Sequence, residues 1–185
     1  MKFILPVASG EKLVYTPLAI FLHWFMGFII FGMIPLGWYM LSIEDEPGSD
    51  WYFRLHKSIG LIFSILILLR LMWRFFYRSD SLKKNISNWQ NLVLKITHWL
   101  LYVAMLFMPI SGIIGALLSK GGLSFFGAII PRVILANHDM SEFFFSLHAI
   151  NAWILVALIS LHIAGALKHF IAKDGVFLRM WPSGR

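Results

Sequence analysis

The 185-residue chain contains no cysteine. That excludes disulfides, cysteine-ligated zinc, iron–sulfur clusters and any thioether-attached haem. Charge is scarce too. Asp, Glu, Lys and Arg make up 14% of the residues, where soluble domains carry about 25%. Acidic residues are the scarcer sign, 9 against 16 Lys and Arg, which leaves a formal charge of +7. No polar stretch could form a nucleic-acid-binding domain, so the positive excess is read as membrane topology. Internal repeats and low-complexity segments are also missing. Met1 to Thr16 carries no signal-peptide pattern, because the apolar run behind it is too long and lacks a small-residue cleavage site. The first apolar segment is therefore expected to be retained.

What the chain has in excess is apolar surface: 59% of its residues are hydrophobic and its mean hydropathy is +0.76. A core of this size cannot bury that much, so lipid is the expected solvent. The reading is an all-α, four-helix transmembrane bundle, a single membrane domain over 1–185. The spans are expected at about Leu18 to Leu41, Leu55 to Tyr77, Ile96 to Leu118 and Phe143 to Phe170. Eight Trp and seventeen Phe suit both membrane interfaces and a large flat ligand.

Loop charge gives orientation. Lys2 and Lys12 precede the first span. Arg74, Arg78, Lys83, Lys84 and Lys95 lie between the second and third. Lys168, Lys173, Arg179 and Arg185 follow the fourth. The first connection is acidic, with Glu44, Asp45, Glu46 and Asp50, and the third is nearly balanced. Both termini are therefore expected to be cytoplasmic, in a bacterial inner membrane. The third connection, 119–142, is long and apolar. Phe125, Phe126, Ile129, Ile130, Val133 and Ile134 read as a short interfacial helix or a cap over the bundle on the periplasmic side.

Histidine placement carries the functional signal. His148 and His162 are fourteen residues apart in one apolar run, which on a helix is a rise of about 21 Å on nearly the same face. The topology puts His23 at the inner level with His162, and His56, opening the second span, at the outer level with His148. One intramembrane histidine is more often a core hydrogen-bonding residue, a relay member or an anchor. Four at two matched depths, on three helices, are what a bundle needs to hold two haems. Small residues one turn from each, Gly27, Gly60, Ala152 and Gly165, would let a porphyrin lie against the backbone. Small residues are also common where membrane helices pack.

His98 begins the third span at the inner level, where it could ligate instead of His23, bond a haem propionate or carry a proton. His138 and His169 read as surface residues. Arg70 and Arg74, at the inner end of the second span, either snorkel to lipid phosphate or bond the inner haem's propionates. Arg54, Lys57, Lys120 and Arg132 are the cations of the outer side. Pro109, Ser111, Gly112 and Gly115 make a kinked, small-faced stretch whose expected role is helix packing.

These pieces resemble the prokaryotic cytochrome b561 family. The resemblance rests on "HW" at His23 and Trp24, "LHKSIG" from Leu55, "LLRLMWR" from Leu68, and "THWLLYVAMLFMPISG" in the third span. It continues through "FFGAIIP" in the third connection, "LHAINAWILVALISLHIAGALKHF" in the fourth span and "DGVFLRMWP" in the tail. The resemblance implies two b-type haems, one ligated by His23 with His162 and one by His56 with His148. It further implies electron transfer, in some members from periplasmic superoxide to ubiquinone. Outer cations would then attract the anion, and quinone would enter beside the cap near Phe125, Phe126 and Pro131. The alternatives are a haem-carrying relay or anchor subunit of a dehydrogenase or hydrogenase, and a histidine-lined transporter without haem. Expected partners are membrane lipid, quinone, and superoxide or another periplasmic donor, with a second copy of the chain left open and no nucleic acid.

Overall fold

The computed structural model describes residues 15–77, 87–131 and 134–181. Lys2, Lys12, Arg78, Lys83, Lys84, Arg132, Val133 and Arg185 lie outside these. Four long helices account for most of the rest: α1 Pro17–Ser42, α2 Ser49–Phe76, α3 Asn88–Leu118 and α4 His138–Ala172. Each is long and apolar enough to cross a bilayer, and the molecule is a multi-pass membrane protein.

The starts of the helices follow local chemistry. Thr16 caps α1, its Oγ1 accepting from Ala19 N at 3.3 Å, and Pro17 fills the first position, where a missing N–H costs nothing. Gln90 Oε1 accepts from Ser87 N ahead of α3, and Asn137 Oδ1 accepts from Met140 N ahead of α4. Three helices begin earlier than their apolar spans. α2 starts at Ser49, α3 at Asn88 and α4 at His138, because polar turns, capped at α3 and α4, extend them ahead of their apolar runs. His56 therefore sits two turns inside α2 rather than at its start, and His138 is the first residue of α4 rather than part of the connection.

The third connection is not a helix. Ser124–Phe125 (β1) and Ala128–Ile129 (β2) form a small antiparallel hairpin, pairing Ser124 with Ile129 and Phe125 with Ala128. Phe126 (φ +44°) and Gly127 (φ +92°) make its turn, the left-handed pair that suits the twist of a two-residue hairpin. Glycines at 121, 122 and 127 and Pro131 break any helical run there. The unusual Phe126 backbone is supported from α2, whose Ser58 Oγ accepts the Phe126 N–H at 2.8 Å. Lys57 Nζ donates to Gly122 O at 3.0 Å. The cap expected on this side is thus a hairpin tied to the turn that follows His56.

Packing is uneven. α1 packs on α2, α2 on α3, and α3 most extensively on α4, whereas α4 has little backbone contact with α1 or α2. Among the described residues the core forms two clusters, both reaching α3. Met26, Phe63 and Ile67 join α1 to α2 and reach Tyr102, Met105 and Leu106. Leu101, Ala104 and Leu155 join α3 to α4. Large side chains such as Phe28, Phe31 and Phe75 point outward, as lipid-facing residues do. A backbone gap, crossed by side chains such as Trp38 packed on Trp153 with ring centroids 4.8 Å apart, therefore separates the α1/α2 pair from α4.

Candidate haem sites

Both histidine pairs bridge that gap. His23 on α1 faces His162 on α4, with ring centroids 5.9 Å apart and planes at 76°. His56 on α2 faces His148 on α4, with centroids 6.1 Å apart and planes at 75°. An imidazole on each side of one metal ion, at metal–nitrogen distances of about 2 Å, puts the ring centres roughly 6 Å apart. Both pairs match that spacing. The fourteen-residue interval on α4 separates the two levels by about 21 Å.

His148 is held from behind. His148 Nδ1 donates to Met108 O at 2.9 Å and lies 3.3 Å from Ser111 Oγ. A carbonyl only accepts, so this nitrogen carries the proton and Nε2 keeps the lone pair a metal needs. Ser111 Oγ is itself turned to Phe107 O and Met108 O, each at 3.0 Å. Gly112 lets α3 approach: a Cβ there would stand 3.0 Å from His148 Cε1 and Nδ1. On the other side a Cβ at Gly37 would stand 3.3 Å from His56 Cε1. His56 Nδ1 is buried without a hydrogen-bond partner. The small-faced stretch of α3 thus packs, as expected, but what it packs on at Gly112 is a candidate ligand.

The inner pair has different neighbours. Arg70 Nη2 lies 3.2 Å from His23 Nδ1, and Arg70 Nη1 donates to Ala19 O at 3.2 Å. Arg70 therefore does not snorkel outward; it is half-buried against α1. Arg74 is exposed and lies over the Tyr102 ring, 5.2 Å from its centroid. With Ala19, Leu22 and Trp73 these residues line a cavity of about 420 Å³ between α1, α2 and α3. His98 Nδ1 donates to Leu94 O at 2.7 Å, and its ring centre is 5.2 Å from that of His162. That is tighter than the facing pairs and leaves less room for an ion between the rings.

Open space lies where a flat ligand would need it. A Cβ on Gly27 or Gly165 would meet nothing within 4 Å, and one on Gly60 only the end of Met33 at 3.9 Å. With the spacing of the rings, the lone pair left on His148 Nε2 and the gap beside α4, the His56–His148 pair fits a b-type haem; at His23 the Arg70 guanidinium can only donate to Nδ1, so Nε2 must give up its proton before it can hold a metal.

Other expected residues are placed as follows. Arg54 and Lys120 are exposed, and Lys57 is half-buried with its ammonium on the hairpin. Phe125, Phe126 and Pro131 are exposed. His138 is exposed. His169 is not a surface residue: it is buried, with Nδ1 2.5 Å from Asp174 Oδ2. The chain reverses after α4 through left-handed Lys173 and Gly175, which carries Asp174 back to the helix. Trp24 Nε1 donates to Met180 O at 2.7 Å, fastening the tail to α1 beside His23.

One residue escaped the sequence reading. Asn151 is buried on α4 between the two histidine levels, its Nδ2 donating to Ala104 O at 2.9 Å. A lone amide in an apolar run was its only signal.

The chain is 31% identical over 163 residues to cytochrome b561 homolog 2 of Escherichia coli, covering 85% of this chain and 86% of that one. It is 28% identical over 177 residues to the probable superoxide oxidase CybB of Yersinia pestis, covering 92% and 97%. Cytochrome b561 homolog 1 of E. coli is 27% identical over 176 residues, covering 91% and 97%. The family model for prokaryotic cytochrome b561 matches residues 14–183. The chain belongs to the prokaryotic cytochrome b561 family of membrane haem proteins.

Proposed function

We propose that the protein is a di-haem b-type membrane cytochrome carrying electrons between a periplasmic donor and membrane quinone, most specifically from superoxide to ubiquinone. The observation that carries this reading is the two imidazole pairs, at 5.9 and 6.1 Å, bridging one gap at two depths. His23 and His162 would hold the inner haem, His56 and His148 the outer one. A b-type haem held by these residues would supply reversible one-electron transfer.

The chain's own residues do the rest. Met108 O orients His148 and fixes its tautomer. Gly37 and Gly112 let the two outer rings lie against backbone. Arg70 and Arg74 put positive charge at the inner end, where haem carboxylates would need it. His98 flanks the inner pair rather than completing it. With both termini cytoplasmic, Arg54, Lys57 and Lys120 would stand on the periplasmic side and raise the encounter rate of a small anion. Lys57 contributes to that field while its ammonium tethers the hairpin. Quinone would enter beside the hairpin, near Phe125, Phe126 and Pro131. Two superoxide anions each give up one electron and leave as oxygen; with two protons, those electrons convert one quinone to quinol. The relative named a probable superoxide oxidase supports this choice of donor.

The test is direct. Purified protein should show a haem b spectrum equivalent to two haems, become reduced by superoxide, and be reoxidised by ubiquinone. Failure of either electron transfer step ends the superoxide–quinone reading.

A further inference from the structure

α1–α2 and α3–α4 are two versions of one helix pair, a correspondence too sparse to read as a repeat in the sequence. On α1, His23-Trp24 is followed by Met33 and then by Gly37, fourteen residues after the histidine. On α3, His98-Trp99 is followed by Met108 and then by Gly112, again fourteen residues on. α2 and α4 correspond in turn, His56 and Arg70 on one matching His148 and His162 on the other, at the same interval. His56 and His148 are therefore equivalent members of the outer pair. Each is set against the glycine of the helix before it, His56 at Gly37 and His148 at Gly112.

The two contacts differ in how far they are closed. A Cβ on Gly112 would stand 3.0 Å from both Cε1 and Nδ1 of His148; one on Gly37 would stand 3.3 Å from Cε1 and 3.8 Å from Nδ1 of His56. Helical Cβ atoms lean toward the N-terminus, over the carbonyl one turn back, so a glycine leaves that oxygen uncovered. At Gly112 the oxygen is that of Met108, and His148 Nδ1 donates to it at 2.9 Å. At Gly37 the corresponding oxygen is that of Met33, and His56 Nδ1 is buried without a partner. If His56 Nε2 is to hold a metal, Nδ1 keeps the proton, and a buried N–H needs an acceptor. Met33 O, although engaged in the helix, has a second lone pair to accept with. A turn of the imidazole about its Cβ–Cγ bond, a soft torsion, brings Nδ1 toward α1. The other buried polar atom without a partner among the described residues is Ser124 Oγ, in the hairpin.

We propose that His56 Nδ1 donates to Met33 O across Gly37, and that this carbonyl orients His56 as Met108 O orients His148. The proposal rests on the di-haem reading above. Met33 and Gly37 act through His56 and are positioning residues, not catalytic ones. A ring that donates to a carbonyl is a more basic ligand and favours oxidised iron. The two carbonyls, one on α1 and one on α3, therefore both lower the midpoint potential of the outer haem.

The experiment is a spectroelectrochemical titration of the purified, haem-loaded full chain. Gly37→Ala and Gly112→Ala should each raise the midpoint of the same haem and leave the other in place. In Gly37→Ala that haem should also bind about 10–100-fold more weakly. Gly32→Ala, where an added Cβ meets nothing within 4 Å, and Ser124→Ala should move neither midpoint. Replacing Ile34 by its α-hydroxy acid turns the Met33 carbonyl into an ester, a weaker acceptor, with every side chain kept. It should raise the same midpoint, and the same replacement at Leu36, which weakens Pro35 O instead, should not. The proposal is overturned if Gly37→Ala leaves both midpoints in place, lowers one, or moves the haem that Gly112→Ala leaves alone. It is also overturned if Ser124→Ala moves the outer midpoint, which would make the hairpin hydroxyl the acceptor. Should Gly37→Ala fail to load its outer haem, the ester after Met33 decides. Absence of any haem spectrum from the wild-type protein would sink the di-haem reading itself, a separate outcome.

Discussion

Replacing Gly112 by alanine pits two effects against each other. In a helix interior alanine is preferred over glycine by about 0.8–1 kcal/mol, so α3 by itself should gain stability. The added methyl, however, would stand 3.0 Å from both Cε1 and Nδ1 of His148. The ring must give by a few tenths of an ångström, while its bond to Met108 O is 2.9 Å long. A shift of that size away from α3 takes the bond to the weak end of the hydrogen-bonding range. Loss of such a partner behind a metal ligand costs about 10–100-fold in affinity, or roughly 1.4–2.8 kcal/mol. Gly112→Ala should therefore bind the outer haem about 10–100-fold more weakly, keep the inner haem, and unfold no more readily than wild type. The assay is haem titration into haem-depleted protein, followed in the Soret band, beside a thermal melt. Gly32→Ala is the control, since a Cβ there meets nothing within 4 Å. Wild-type outer-haem affinity in Gly112→Ala would refute the idea that α3 holds His148 in position.

Asn151→Ala removes a buried interhelical bond to Ala104 O. Such bonds in membranes contribute about 0.6 kcal/mol on average, and up to about 1.7. The thermal midpoint should fall by a few degrees while both haem spectra persist, and an unchanged midpoint would contradict this. Ser58→Ala deprives the Phe126 N–H of its acceptor and should speed hydrogen exchange across residues 123–130 without comparable change in α2. For Asp174, burial pushes its pKa up, but bonds from His169 and the Val176 N–H, with Lys168 nearby, outweigh it and hold the carboxyl below its ordinary value of 3.8. Its contribution to the tail is therefore present above that value and lost as pH falls through the lowered one. Proteolysis beyond residue 173 should be equally slow at neutral and mildly acidic pH, and fast at both in Asp174→Asn.

The sequence made the four spans and the two histidine levels legible, because both are matters of helical period and run length. Fourteen residues return a helix to almost the same face whatever it packs against. The early starts of α2, α3 and α4 were not legible from hydropathy, since their first turns are polar segments ahead of the apolar runs. Of the two readings of the third connection, an interfacial helix or a cap, the helix fails for a related reason. Its apolar residues suggested an interfacial helix, and only the left-handed pair at Phe126 and Gly127, leaning on Ser58, shows why the chain turns there instead. His169 looked like a surface residue because its partner, Asp174, reaches it only after the chain reverses at Lys173 and Gly175.

The least legible feature concerns α3, which carries neither member of the facing pairs. Both core clusters nevertheless reach it, and it backs a histidine at each level. At the outer level Met108, Ser111 and Gly112 fix the position and tautomer of His148. At the inner level His98 sets its ring 5.2 Å from His162. α4, which supplies a histidine to both pairs, packs mainly on α3 and has little contact with α1 or α2. The separation of facing rings is therefore set through α3: α1 and α2 are fastened to one side of it and α4 to the other. A substitution that shifts α3 against α4 should change both pairs together, whereas one between α1 and α2 should disturb His56, which packs against Gly37, as well as His23. Its direct partner Arg70 spans exactly that contact, bonding both Ala19 O and the His23 ring.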